Sequence, residues 1–383
     1  MPSLYVHVPF CVRKCEYCAF YSVPLAPKAS ETNRLESAYF RGLQAEIPLR
    51  QQDAPLGVSS LFIGGGTPTA LSDEGLSLLF TTLAQGFTFQ AGAEKTVEVN
   101  PGTLSTEKLR VLQSGGINRI SLGVQAFDDI LLQKIGRIHT GAQVKTSVQL
   151  IRAAGFANLN LDLLMGLPDQ SFQAWQQSIE QALELEPEHL SLYGLMFEEG
   201  TPLGDNYLAR PKDLEVLEDQ QADLYEWAVA RLFKAGYHRY ETSNFAKPGY
   251  ECQHNLSYWQ GQEYIGLGPS AVSYLHNQRW KNVANIAEYA RLLAAGSEPL
   301  DKDGREQLSV RERMAERVIL GLRLTEGVDL PAFRQEFGVD LYDIFGSVVE
   351  RYQWPGILIK GTTRLTLNPS YAFVANSILQ EFV

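Results

Sequence analysis

The chain has 383 residues, 45% of them hydrophobic and 20% charged, which is the composition of an ordinary globular protein with room for about two domains. A formal net charge of −11, from 33 Lys and Arg against 44 Asp and Glu, argues against a nucleic-acid partner, because phosphates call for basic surface. Four cysteines exclude a disulfide scaffold, and MPSLYVHVPF lacks the basic start and apolar run of a secretory signal; with no stretch reaching the ~18 apolar residues of a membrane span, a cytoplasmic protein without a transmembrane segment is expected.

The first predicted strand, Leu4–Val8, runs into Cys11, Cys15 and Cys18. A helix over Glu31–Ile47 leads to the strand Ser60–Ile63 and the loop Gly64-Gly65-Gly66-Thr67-Pro68. The helix Asp73–Ala84 starts at a capping serine followed by acids, as does Thr106–Gln113, which ends at Gly115-Gly116. Between these helices lies the strand Thr96–Val99, closed by Asn100-Pro101-Gly102. Arg119–Val124 ends at Gln125, and the helix Ala142–Ala154 stops at Gly155. Leu159–Leu163 then leads to Met165-Gly166-Leu167-Pro168, the helix Phe172–Leu185 and the strand Leu190–Leu195.

Six strand-then-helix units predict a parallel sheet covered by helices, either doubly wound or a partial barrel. The unusual loops after strands one to five favour a partial (β/α)₆ TIM-like barrel, which gathers such loops around one mouth. Residues 1–230 are read as this barrel domain, closing with a long helix over 213–235. Residues 231–285 read as a connecting segment rich in glycine and aromatics from His254 onward. Residues 286–383 read as a small α+β, winged-helix-like domain, with helices near 285–295, 308–322, 329–337 and 341–351, a hairpin over Ile357–Leu367 and a last helix near 370–382.

Cys11, Cys15 and Cys18 form a C-x₃-C-x₂-C run, and Cys252 is the one cysteine outside it. Three thiolates on one loop can hold three irons of a [4Fe–4S] cube and leave the fourth open. Spacing alone also admits zinc, with Cys252 or His7 as a distant fourth ligand, or buried thiols with no metal. Gly64-Gly65-Gly66 permits close backbone approach or simply a tight turn.

Taken together, the cysteine run after a first strand, with Tyr17 before the third cysteine, resembles the radical S-adenosylmethionine (SAM) superfamily. The resemblance implies that the open iron binds the SAM amino and carboxylate groups and that an electron from the cluster cleaves SAM. It implies SAM contacts from Tyr5, Gly65, Gly66, Thr67, Glu98, Gln125, Arg137 and Asp162. Arginine suits a carboxylate, and aspartate suits a ribose hydroxyl or an ammonium. PFC-x₃-C-x-Y-C, GGGTPT, SLGVQ-F and DLLMGLP resemble the oxygen-independent coproporphyrinogen III oxidase group. Oxidases of that group carry a cysteine where this chain has Phe20, and the string His254-Asn255-Leu256-Ser257-Tyr258-Trp259 resembles the heme-binding motif of its heme-chaperone branch. Imidazole is a good axial ligand for heme iron, and Tyr and Trp lie well against a porphyrin.

The implied function is binding of heme, a [4Fe–4S] cluster and SAM, with transfer of heme to a recipient haemoprotein. A respiratory-chain recipient and a homodimer are family-level expectations. The sequence singles out no catalytic residue, and oxidative decarboxylation of coproporphyrinogen III is the alternative reading. A radical SAM enzyme acting on RNA is disfavoured by the acidic balance.

Overall fold

The computed structural model describes residues 1–25, 29–53 and 57–383. Its first part runs β1 (Ser3–Val8), α1 (Ala29–Asp53), β2 (Val58–Gly65), α2 (Asp73–Gly86), β3 (Phe89–Val99), α3 (Thr106–Ser114), β4 (Arg119–Gln125), α4 (Asp129–Lys134), α5 (Gly141–Ala153), β5 (Leu159–Met165), α6 (Phe172–Glu184) and β6 (His189–Gly194). β1 to β6 pair in sequence order, every pair parallel. Side chains alternate between the two faces of each strand. Leu61, Ile63, Val97, Val99, Ile120, Leu122, Leu161 and Leu190 join the helices in one apolar core. Their neighbours Ser60, Thr96, Ser121, Asn160 and Ser191 are also buried, and they give the other face of the sheet a polar lining.

The sheet extends beyond these six strands. After α7 (Pro202–Leu208) and α8 (Pro211–Lys234) come β7 (His238–Arg239) and β8 (Asn244–Ala246); β8 adds antiparallel to β6, and β7 antiparallel to β8. At the other edge β9 (Tyr264–Leu267) pairs parallel with β1, followed by antiparallel β10 (Val272–Leu275), β11 (Gln278–Asn282) and β12 (Leu300–Gln307). The 12-stranded order is β12-β11-β10-β9-β1-β2-β3-β4-β5-β6-β8-β7, so the barrel stays open. Residues 231–285 therefore contribute strands to the main sheet, together with α9 (Gln253–Trp259), which carries the His254 string.

The tail folds around a second core that includes Val318, Phe333, Leu341, Phe345, Val349 and Leu365. α10 (Ile286–Ala294) packs back on α1, and the tail's own helices are α11 (Val310–Gly321), α12 (Leu330–Phe337) and α13 (Leu341–Gln353). Together with the sheet β13 (Val328–Asp329), β15 (Arg364–Leu367) and β14 (Leu358–Lys360), in that spatial order, they give the expected winged-helix-like unit. The last helix expected over 370–382 is broken into short turns at Pro369–Tyr371 and Gln380–Phe382 with α14 (Asn376–Leu379) between them. The break lets Phe373 stack on Tyr225 of α8, with ring centroids 5.4 Å apart, while Ile378, Leu379 and Phe382 fill the second core.

α1 is tied to the sheet edge by a buried carboxylate. Glu46 accepts from the Gly268 amide at 2.9 Å, from the Tyr289 hydroxyl at 2.6 Å and from Asn282 Nδ2 at 2.7 Å, with Arg50 at 3.4 Å. Burial raises its pKa, and Arg50 leads the interactions that oppose the rise. Glu46→Ala strands three buried donors at once and is expected to cost about 3 kcal/mol or more. Urea unfolding measures this; a midpoint within error of the wild type would show that the node does not hold the edge.

Candidate functional site

The cysteine loop is held at the carboxyl ends of the parallel strands. Phe10–Cys11 pairs with Val23–Pro24 and closes the loop at its base. His7, buried on β1, fixes the far side: its Nε2 reaches the Tyr21 carbonyl at 2.8 Å and its Nδ1 lies 3.0 Å from the Tyr5 hydroxyl. A carbonyl only accepts, so Nε2 carries the proton and Nδ1 receives the Tyr5 hydroxyl. His7 is thus a positioning residue for both the loop and Tyr5. His139 is buried with its Nε2 against the Val124 carbonyl at 3.0 Å.

The glycine loop presses directly on this assembly. The Gly66 amide donates to Val8 O at 2.9 Å and the Thr67 amide to Phe10 O at 2.6 Å. Gly65 has φ +107, and a Cβ there would lie 2.5 Å from the His7 ring; at Gly66 it would lie 2.5 Å from Phe10 O. Glycine is required at both positions by this approach alone. The Gly65 amide donates to Glu98 Oε2 at 3.0 Å.

Each of the three thiols receives a polar hydrogen: the Phe20 amide serves Cys18, and Ser22 joins Thr67 at Cys11. Thr67 Oγ1 points at Cys11 Sγ, and Arg137 Nη1 at Cys15 Sγ, each at 3.5 Å. Asn100 joins the two donors: its Nδ2 donates to Thr67 Oγ1 and its Oδ1 accepts from Arg137 Nη2, both at 2.6 Å. Arg137 also donates to the Gly123 carbonyl. Burial raises the Cys11 and Cys18 thiols, and Thr67 opposes the rise at Cys11. Tyr17 packs beside Ala126 and Leu131, its hydroxyl pushed up by burial and drawn back by Arg137. Among the described residues, Arg137 Nε is a buried N–H without a partner. A small cavity of about 30 Å³ lies there, lined by Cys15, Thr67, Asn100 and Arg137 among others.

Gln125, at the end of β4, is buried with φ +65. Asp162 projects into the polar interior, where Ser121 Oγ donates to it at 3.0 Å and Asn160 Nδ2 at 2.7 Å; burial still raises its pKa. In the sequence Asn100 stands out only as part of a strand-end loop. Its position, one residue past β3 and beside Pro101-Gly102, was the available signal.

These donors fit an iron–sulfur cluster and a carboxylate-bearing ligand. Zinc does not fit. Cys252 lies against Glu94 Oε1 at 3.3 Å, and both His7 nitrogens are engaged. Among the described residues no three His, Cys, Asp or Glu side chains gather around a single ion. Structural zinc needs that convergence, whereas thiolates of a cube each hold a different iron.

His254 lies elsewhere. Its Nδ1 is 3.0 Å from Ser60 Oγ, near the start of β2, and its Nε2 is 3.1 Å from the Tyr258 hydroxyl. Gly65 stands five positions further along the same strand, about 16 Å away at ~3.3 Å per residue. His254 is 1% exposed, stacked on Phe62 at 5.2 Å, and burial lowers its pKa to about 3.

The sequence profile of the Radical SAM superfamily matches residues 5–182, and that of the HemN C-terminal domain matches residues 308–370. The chain is 36% identical over 386 residues to a heme chaperone HemW of Bacillus subtilis, covering 100% of this chain and 99% of that protein. A heme chaperone HemW of Lactococcus lactis is 35% identical over 381 residues, covering 100% and 97%. One of Escherichia coli is 40% identical over 269 residues, covering 70% and 69%. Among solved structures, coproporphyrinogen III oxidase (HemN) from Escherichia coli has a TM-score of 0.84 at 24% identity, covering 100% of this chain and 90% of that one, a likeness of fold.

Burial, reinforced by the Asp162 charge, pushes the Glu98 carboxyl up to about 7 against the pull of the Gly65 amide. The folded chain therefore holds this proton more tightly than the unfolded one. Stability linked to it is full below the ordinary value of 4.5 and lost as pH rises to about 7. Glu98→Gln is expected to match the wild type near pH 4.5 and exceed it by up to about 3 kcal/mol above pH 7. Urea denaturation of both proteins across this range measures the difference; parallel profiles would place the carboxyl at its ordinary value.

Proposed function

The chain belongs to the heme chaperone HemW family of the radical SAM superfamily, and from that premise we propose that it binds a [4Fe–4S] cluster, SAM and heme and delivers heme to a haemoprotein. In this reading Cys11, Cys15 and Cys18 hold the cluster. The unpartnered Arg137 Nε faces the SAM carboxylate, Glu98 and the Gly65–Thr67 backbone face its amino group, and Asp162 and Gln125 face its ribose side. A cluster with SAM on its open iron supplies reductive SAM cleavage. Tyr5 and Tyr17 wall the site.

The observation that carries the chaperone reading is the separation of two chemically different sites in one interior. Thiols and their donors sit at the mouth, and the imidazole of the heme motif sits beside Ser60 and Phe62, nearer the amino end of β2. An oxidase must place its tetrapyrrole against the radical-forming site; a carrier need not. Phe20, exposed at the cysteine loop, offers no further thiol.

His254 is suited to iron because burial keeps it neutral. Ligation through Nε2 requires the Tyr258 hydroxyl to leave that nitrogen, while Ser60 continues to accept from Nδ1. The recipient proposed is an electron-transport haemoprotein, and the chain is proposed to act as a homodimer.

His254→Ala is expected to abolish the Soret shift on heme addition, and Tyr258→Phe to speed heme association in stopped flow by removing a competitor for Nε2. Cys15→Ala is expected to lower iron and sulfide content while leaving the heme spectrum intact. Undiminished heme binding by His254→Ala removes that residue as ligand. A wild type that takes up no heme, or that decarboxylates coproporphyrinogen anaerobically, overturns the chaperone reading.

A further inference from the structure

We propose that Asn100 is a positioning residue that sets the hydrogen bonds on two cluster thiolates at once, and through them the reduction potential of the cluster. The inference rests on the assignment of Cys11, Cys15 and Cys18 as cluster ligands.

A side-chain amide is neutral and donates at one end while accepting at the other. Asn100 uses both ends. Its Nδ2–H occupies a lone pair of Thr67 Oγ1, so the threonine hydrogen is not spent on Asn100 and turns to Cys11 Sγ. Its Oδ1 takes one N–H of the Arg137 Nη2 group, which rotates the planar guanidinium until Nη1 meets Cys15 Sγ. The result is an unbroken chain, Cys11–Thr67–Asn100–Arg137–Cys15, in which every hydrogen has a defined direction.

The surrounding backbone keeps that chain in place. The Asn100 carbonyl accepts the Thr103 hydroxyl at 2.7 Å and the Thr103 amide at 3.2 Å, which fixes the turn after β3. Gly123 makes room for it: a Cβ there would lie 2.8 Å from Asn100 Oδ1 and 3.1 Å from Arg137 Nη2. Thr67 is 2% exposed, which keeps bulk solvent from its hydroxyl.

Hydrogen bonds to ligand sulfur withdraw electron density and favour the reduced cluster, and so raise the potential. Removing them lowers it. Asn100→Leu keeps the branching at Cγ and adds no charge while removing both hydrogen-bonding ends. Thr67→Val removes one of those bonds directly.

Anaerobically reconstituted full-length wild type, Asn100→Leu, Thr67→Val and the double variant would be titrated potentiometrically, with the reduced cluster followed by electron paramagnetic resonance. Iron and sulfide would be counted on each sample. Each single variant is expected to lower the one-electron reduction equilibrium about tenfold, equivalent to about 59 mV. The double variant is expected to fall short of the sum, because Asn100 acts partly through Thr67. An Asn100→Leu protein with wild-type iron and an unchanged potential overturns the proposal, as do strictly additive shifts. If Asn100→Leu fails to load, Asn100→Ser, also neutral, is read in its place by the same criteria. A wild type that takes up no iron and sulfide instead sinks the cluster assignment itself.

Discussion

The lining of the open barrel is polar, and most of its groups find their partners inside the protein, Thr96 Oγ1 and the Nε atoms of Arg119 and Arg137 being exceptions among the described residues. This constraint governs the rest of the structure, because an unsatisfied buried donor costs more than a satisfied one returns. The Asp162 carboxylate only accepts, so it turns the Asn160 amide to present Nδ2. Asn160 Oδ1 then faces His189 Nδ1 at 2.6 Å, which places the histidine proton on Nδ1. His189 Nε2 must accept, and it does so from the Tyr240 hydroxyl at 2.8 Å. That leaves the Tyr240 oxygen to receive the Cys252 amide at 3.3 Å, at the start of α9. One buried carboxyl below the mouth thus sits at the head of a hydrogen-bonded chain that ends at the helix bearing His254. Burial keeps His189 neutral, as this arrangement requires.

The same interior also separates its two ends by chemistry. Near the carboxyl end of β2 the glycines Gly65 and Gly66 bring the backbone itself against His7 and the start of the cysteine loop. Near the amino ends the space is filled by large aromatic groups: Phe62 stacks on His254, and Tyr258 and Tyr264 follow edge-on, with centroids 4.6 to 5.2 Å apart. Backbone donors and small residues suit a charged ligand held close. An aromatic stack with one neutral imidazole suits a large flat apolar one. Alternation along β2 supports both, since Ser60, Phe62 and Gly64 share a face and differ only in what they offer it.

Much of this was legible in the sequence because it depends on local pattern. The six parallel strands are apolar runs bounded by Gly, Pro or caps, and the helix starts at Ser72 and Ser105 are set by side chains that accept from amides three residues on. The charged strand Leu300–Gln307 was not legible, because its place at a sheet edge comes from pairing with Gln278–Asn282 and not from its composition. The broken tail helix has the same cause, since Phe373 answers to Tyr225 on a distant element. At the site, cysteines and glycines announce themselves by spacing. Asn100 does not, because its importance lies in two neighbours, Thr67 and Arg137, far away along the chain.

The glycine loop illustrates how function and packing converge on one residue type. A ligand's amino group approaching Gly65–Thr67 would favour glycine, and so does the imidazole of His7 pressed against the same backbone. His7 in turn carries the Tyr21 carbonyl and the Tyr5 hydroxyl. A side chain at Gly65 would therefore displace His7 before it obstructed any ligand, and the cysteine loop would lose its anchor at Tyr21. Damage at that position is transmitted through the fold to the thiols, so a lost cofactor there reports on the wall of the site as much as on the contact.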